Sequence, residues 1–231
     1  MIPSLLVILH EARQILREDG FRSFLSRGWS FIATFFFRYH SVYLYQHNII
    51  DRREIDFVPR VQDFVIKTVA SNREADNLAQ RGFEDFRLYV SYAKEALDRE
   101  AIAFCIFVDN QLAHVGWAMF SEEAKNCIDS WPYRVNFEAG EACTGGTRTV
   151  VRFEGKGLMT YGYYLRLEYI RQKGIIASRC SVATDNIASQ KVHAKFGPKI
   201  YAKSRYLKIL WWESWKEIPL SITGHESLGR I

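Results

Sequence analysis

Arg152-Phe153-Glu154-Gly155-Lys156-Gly157 decides how this chain reads. It follows Phe137 to Val151, which has the texture of a strand. It precedes Leu158 to Lys173, where Leu158, Tyr161, Leu165 and Tyr169 recur at helical spacing and Gly174 stops the run. Glycines at a strand-to-helix junction free backbone N–H groups to face an anion, and the helix start adds the positive end of its dipole. Lys156 adds a full charge. Two phosphate loops are excluded. A Walker A loop needs Ser or Thr after Gly-Lys, where Gly157 stands, and a dinucleotide fingerprint needs glycine at position 160, which is Thr160. The remaining pattern, RxxGxG, is on its own equally a plain glycine turn capping a helix.

Outward from the loop the chain is regular. Phe64 to Val69 alternates like a strand, and Asn72 to Arg99 carries Leu78, Phe83, Phe86, Tyr89, Val90 and Leu97 at helical intervals, enough for one or two helices. Ala101 to Val108 and Gln111 to Phe120 flank Asp109-Asn110, a tight-turn signal, and read as a hairpin. After Gly174 come a strand from Ile175 to Ala183 and a short helix from Asn186 to Phe196, closed by Gly197-Pro198. Two strands within Lys199 to Trp215 end the pattern. The order predicts one α/β domain over residues 61–231, with a mixed, largely antiparallel central sheet flanked by helices. Residues 1–60 read as an N-terminal helical appendage. Leu5, Leu6, Leu9, Ala12, Ile15 and Leu16 make one helix, and Phe21 to Tyr45 mixes Arg22, Arg27 and Arg38 with Trp29, Phe31 and Phe35 to Phe37. Two roles stay open for it: packing on the domain or on a second copy, or lying in a membrane surface.

Composition narrows the classes. With 231 residues, 48% hydrophobic and 25% charged, the chain is that of a folded protein, which excludes disordered and collagen-like classes. A net charge of +5 permits an anionic ligand but is too dilute for a nucleic-acid surface, so no nucleic acid is expected. The apolar run Trp29 to Phe37 is half of what a bilayer crossing needs, and Met1 to Leu9 lacks a basic leader. A cytoplasmic location without a signal peptide is the expectation. Cys105, Cys127, Cys143 and Cys180 form no CxxC pair and no HExxH occurs, so no metal is expected.

Asn186-Ile187-Ala188-Ser189-Gln190-Lys191-Val192-His193-Ala194-Lys195-Phe196-Gly197 completes the pattern. Taken with RxxGxG, the Asp109-Asn110 turn and Gly116 in the second hairpin strand, it resembles the GNAT superfamily of acyl-CoA-dependent N-acyltransferases over roughly residues 61–217. The resemblance implies acetyl-CoA, or a related acyl-CoA, as co-substrate and an amine that attacks it directly in a ternary complex. It places the pyrophosphate on Arg152, Gly155, Lys156, Gly157 and Leu158, the pantetheine arm along the main chain of Thr149, Val150 and Val151, and further cofactor contacts on Asn186 and Ser189. Where many members carry the tyrosine that protonates the thiolate, this chain has His193, with Tyr201 and Tyr206 as alternatives. Glu141 is the base candidate. The chain departs from the pattern at Glu154, where arginine is common, and at Met159, where a small residue is common. The acceptor implied is a small-molecule or sugar amine, met by Trp117, Trp131, Trp211, Trp212 and Trp215 mixed with Arg87 and Arg205. A homodimer is the protein partner considered. Two other readings stand beside this one: a catalytically silent binding module of the same fold, and a membrane-surface acyltransferase acting on a cell-envelope precursor.

Overall fold

The computed structural model describes residues 37–220. Among them run β1 (Phe37–Asn48), β2 (Phe64–Val69), α1 (Asn72–Gln80), α2 (Ala93–Asp98), β3 (Ile102–Val108), β4 (Gln111–Met119), α3 (Glu122–Ile128), β5 (Glu141–Thr149), α4 (Leu158–Gln172), β6 (Ala177–Ala183), α5 (Ile187–Ala194), β7 (Lys199–Ile209) and β8 (Trp212–Pro219). The described residues form two compact units, 37–41 with 204–217 and 42–203 with 218–220.

In the larger unit the strands lie in the order β2-β3-β4-β5-β6-β1-β7. The β2–β3, β3–β4, β4–β5 and β6–β1 pairs are antiparallel and β5–β6 is parallel. This is the expected mixed sheet with helices on its faces. Strands β3 and β4 are buried almost throughout, as central strands should be. Asp109 and Asn110 both take positive φ, 51° and 61°, the conformation that joins twisted antiparallel strands by two residues. Helix starts carry their own caps. The Ser71 hydroxyl accepts from the Glu74 amide at 3.2 Å and the Glu74 carboxylate accepts from the Ala70 amide at 2.7 Å, while Ser121 caps α3. Helix α4 buries Leu158, Tyr161, Tyr163, Tyr164, Leu167 and Ile170 against the sheet.

In the smaller unit, β7 continues beside β8 through a turn at Leu210, where φ is 56°. Lys208 pairs with Glu213, the Trp215 indole donates to Glu217 at 2.9 Å, and Trp211 is 87% exposed.

Three expectations change. Residues 1–36 of the expected helical appendage lie outside the described residues. Its remainder is not helical: Phe37–Asn48 is a strand, paired with β6 from Val42↔Ala183 to Asn48↔Ala177. The aromatic and β-branched residues of Val42-Tyr43-Leu44-Tyr45 suit a strand, and their unbroken apolar run carries no alternation to mark its period. An element of the sheet therefore begins well before residue 61. The strand expected from Phe137 starts only at Glu141, because the Asn136 side chain caps a short 3-10 turn that Gly140 ends at φ 76°. Among the described residues, no helix is long and apolar enough to cross a membrane.

Candidate functional site

The glycine loop is built as a receptor for something negative. After β5, Val151–Phe153 make a 3-10 turn, and Gly155 and Gly157 take φ values of 73° and 86° that only glycine adopts without strain. Gly157 is the N-cap of α4 and offers no side-chain cap. Among the described residues, the N–H groups of residues 155–160 donate to no backbone carbonyl. The loop is held from outside, by the Arg60 amide donating to the Lys156 carbonyl at 2.9 Å. These free amides face a cleft of about 480 Å³ lined by Thr149, Gly155, Gly157, Leu158, Val192 and Lys195 among others.

A second cavity of about 240 Å³ adjoins it, and Thr147, Met159 and Ala188 border both. Its origin is the sheet. β5 and β6 pair only from Glu141↔Ala177 to Cys143↔Arg179. Beyond, Thr144 to Thr147 form one wall, Cys180 to Ala183 another, and α5 closes the gap with Asn186, Ser189 and His193. A register shift opposite Val115 to Trp117 and a φ of 57° at Gly146 put an irregularity into β5 here, which turns main-chain groups off the ladder.

The structure thus brings Thr149, Gly155, Gly157 and Leu158 to the loop cleft, and Asn186, Ser189 and His193 to the cavity adjoining it. Asn186 has a local task as well: its Oδ1 accepts from the Ser189 amide at 3.0 Å and caps α5. Val150, Val151, Arg152 and Lys156 line neither cavity. The Arg152 guanidinium and the Lys156 ammonium both lie over the Phe153 ring, at 4.9 and 5.2 Å. Glu154 is exposed on the wall of the loop cleft.

Four candidate catalytic side chains do not fit this geometry. Glu141 begins β5, at the end far from the loop, and its carboxylate takes two bonds from Arg179 at 2.6 and 2.8 Å and one from the Asn136 amide. Burial pushes its pKa up, but those bonds outweigh it and leave the carboxyl below its ordinary value, a weaker base locked in an ion pair. Tyr201 lies under Arg179, whose guanidinium is 4.8 Å from the ring centroid, and it does not line the gap. Tyr206 belongs to the smaller unit, with Glu213 beside its hydroxyl. His193 does stand in the gap, 5% exposed, but not as an acid. Burial first, then the Arg166 charge, lower its pKa to about 3, so the imidazolium expected to deliver a proton is absent at neutral pH. Of the residues expected around the acceptor, Trp117 is core and Arg87 is held by Asp76 and Asp85 at 2.6 and 2.8 Å.

Sequence reading missed His47, Cys180 and Arg166. The His47 Nε2 is 3.0 Å from the His193 Nδ1, and the Cys180 Sγ is 3.8 Å from that same nitrogen. All three ligand atoms lie within 4.8 Å of one another, so two nitrogens and a sulfur converge as a metal would need, although none of these residues forms a sequence motif. The hydrogen bond between the imidazoles already accounts for their approach. Burial first and His193 second lower the His47 pKa to about 2, and burial raises Cys180 to about 12. Arg166 is fully buried on α4, among aromatic and aliphatic neighbours whose pattern hides it.

Comparison with protein-family models and with curated proteins found no match. Solved structures do match. A tandem GNAT protein from the clavulanic acid biosynthesis pathway is 18% identical, with 79% of this chain and 55% of that one covered at a TM-score of 0.50. A GCN5-related N-acetyltransferase-like protein from Streptococcus suis is 13% identical, with 80% and 67% covered at 0.49. A GNAT-family acetyltransferase from Colwellia psychrerythraea is 16% identical, with 75% and 57% covered at 0.47. This chain spans little more than half to about two thirds of the length of these and other solved chains it matches. A glycine loop ahead of α4, a sheet that opens between two parallel strands, and this structural likeness agree: the chain has the fold of the GNAT superfamily.

Proposed function

We propose that the chain is an N-acyltransferase that uses acetyl-CoA, or a closely related acyl-CoA, to acylate a small-molecule amine. One observation carries the reading: free amides at residues 155–160 border a cleft that adjoins the gap between β5 and β6, the two sharing Thr147, Met159 and Ala188 as walls. Backbone N–H groups at a helix start suit a diphosphate, and the diverging edge of β5 suits an extended arm ending in a thioester. The amine nitrogen attacks the thioester carbonyl, the C–N bond forms, and the C–S electron pair leaves on sulfur. No side chain lining the gap changes protonation near neutrality. His193 is lowered to about 3, Cys180 is raised to about 12, and burial lifts Tyr163 well above its ordinary value. The amine therefore reacts from its neutral fraction, and the rate climbs with pH toward an amine pKa of about 10.

Titration calorimetry tests the reading. Acetyl-CoA binds saturably, and a Gly155→Val, Gly157→Val double variant loses at least about tenfold in affinity, since each valine strains a positive φ by roughly 1–2 kcal/mol and obstructs an amide. Absence of heat with the parent chain, or unchanged affinity in the variant, overturns it. Release of free thiol with an amine panel separates catalysis from the silent-module reading. Glu154→Arg changes the local charge by two units beside the diphosphate and is expected to tighten acetyl-CoA several-fold at low salt, with the gain fading toward about 1 M salt. An affinity that drops on this change places the anion elsewhere.

A further inference from the structure

Among the described residues, Arg166 is a cation without a counter-ion. Its side chain is fully buried and borders the gap between β5 and β6. Nε donates to the Gly162 carbonyl at 3.0 Å, and Nη1 donates to the Thr147 hydroxyl at 2.9 Å and, more weakly, to the Gly145 carbonyl at 3.4 Å. Nη2 is buried with no hydrogen-bond partner. Among the described residues no carboxylate lies within 4 Å of it. The titratable groups that face it are Tyr163 on its own helix, His114 on β4, Cys180 on β6, His193 on α5 and His47 on β1. All are neutral at pH 7, and burial lowers the guanidinium only to about 10, so the charge persists. The rest of the fold makes room for it: a Cβ on Gly116 would sit 2.7 Å from the guanidinium carbon.

A buried, unpaired charge is costly, and a bound anion is what removes the cost. We propose that Arg166 is the counter-ion of the coenzyme sulfur, holding it as a thiolate in the gap between β5 and β6. The inference rests on the acyl-CoA reading above and adds a group to it. The Tyr163 phenol and the Cys180 thiol that line the gap are held less acidic than a coenzyme thiol, so the departing sulfur is met by a positive charge instead of a proton. As C–N forms and C–S breaks, the electron pair stays on sulfur beside Arg166, and the proton of the attacking amine goes to solvent. A guanidinium suits this task, since it remains charged and presents a free N–H without disturbing the Nη1 donor that ties it to β5 or the Nε donor that ties it to α4.

Calorimetry of coenzyme A with a free thiol, in buffers of different ionisation enthalpy at pH 7, reads the step without turnover. A thiol of pKa near 8.5 is almost wholly protonated there, so binding as thiolate releases close to one proton. Desulfo-coenzyme A, which lacks the sulfur, releases none. Arg166→Met is expected to bind coenzyme A with the release abolished, and Arg166→Lys to retain part of it. If Arg166→Met does not fold, the two ligands on the parent chain still decide. Equal proton release with both, no release with coenzyme A, or a full release in Arg166→Met overturns the proposal. Failure of either ligand to bind at all overturns the acyl-CoA reading instead.

Discussion

Between pH 7.5 and pH 5 the fold is expected to lose about 6 kcal/mol of stability, most of what a domain ordinarily has. Three histidines drive the loss. His47, His114 and His193 are buried, and burial is the largest cause of their low pKa values, about 2, about 3 and about 3. In the unfolded chain each returns to 6.5. A folded value below the unfolded one means that the unfolded chain takes the proton first. Stability is therefore complete above pH 6.5 and falls as pH drops, by roughly 1.4 kcal/mol per unit for each histidine, or about 2 kcal/mol each at pH 5. Paired carboxylates such as Glu141, whose pKa is lowered, add their losses only below the ordinary carboxylate range. Urea unfolding at pH 7.5, 6 and 5 measures the slope, and a flat profile would falsify the burial argument. His114 donates to or accepts from Thr149 at 2.9 Å, so His114→Asn keeps a polar partner there while removing about one third of the pH dependence.

Gly146→Ala is the substitution expected to damage the fold most. The residue has a φ of 57°, which costs any L side chain roughly 1–2 kcal/mol. An added Cβ would also lie 2.6 Å from the Ile128 Cγ2, 2.6 Å from the Tyr92 hydroxyl and 2.8 Å from the Trp117 Cδ1. Tyr92 can swing its far end aside, but Trp117 is fully buried and Ile128 is half-buried. Overpacking of this kind costs about 1–3 kcal/mol more, giving a total near 2–5 kcal/mol. Gly155→Ala is the matched comparison: its φ of 73° carries the same strain, but nothing lies within 4 Å of the new Cβ. Thermal unfolding of the two variants separates strain from collision. Equal melting temperatures would show that the bulge in β5 accommodates a methyl group, and the irregularity that opens the gap would then have no steric cause.

Much of the fold is legible along the chain. Asp109-Asn110 specifies a two-residue turn by local preference alone. Gly155, Gly157 and the apolar face of α4 specify a loop feeding a helix, and Asn186 can cap only the turn that follows it. These are short-range facts, set by backbone sterics and by side chains within one helical turn. Strand β1 was hidden because the apolar run Val42 to Tyr45 shows no alternation and serves a helix reading equally well. Roles at the site were hidden for a different reason. Spacing put His193 in the gap, but its protonation depends on burial against β1 and on Arg166. Spacing likewise could not reveal that Glu141 would meet Arg179 across a parallel strand pair.

By itself, then, the sequence determined the Asp109-Asn110 hairpin, the glycine loop and the capped helix beyond it, because each is decided by neighbours a few residues away. Only the tertiary structure decided which charges survive: it left Arg166 without a counter-ion, kept three histidines neutral and closed Glu141 into an ion pair. Desolvation and pairing are set by residues that meet across the sheet from distant parts of the chain, and no local pattern carries that information.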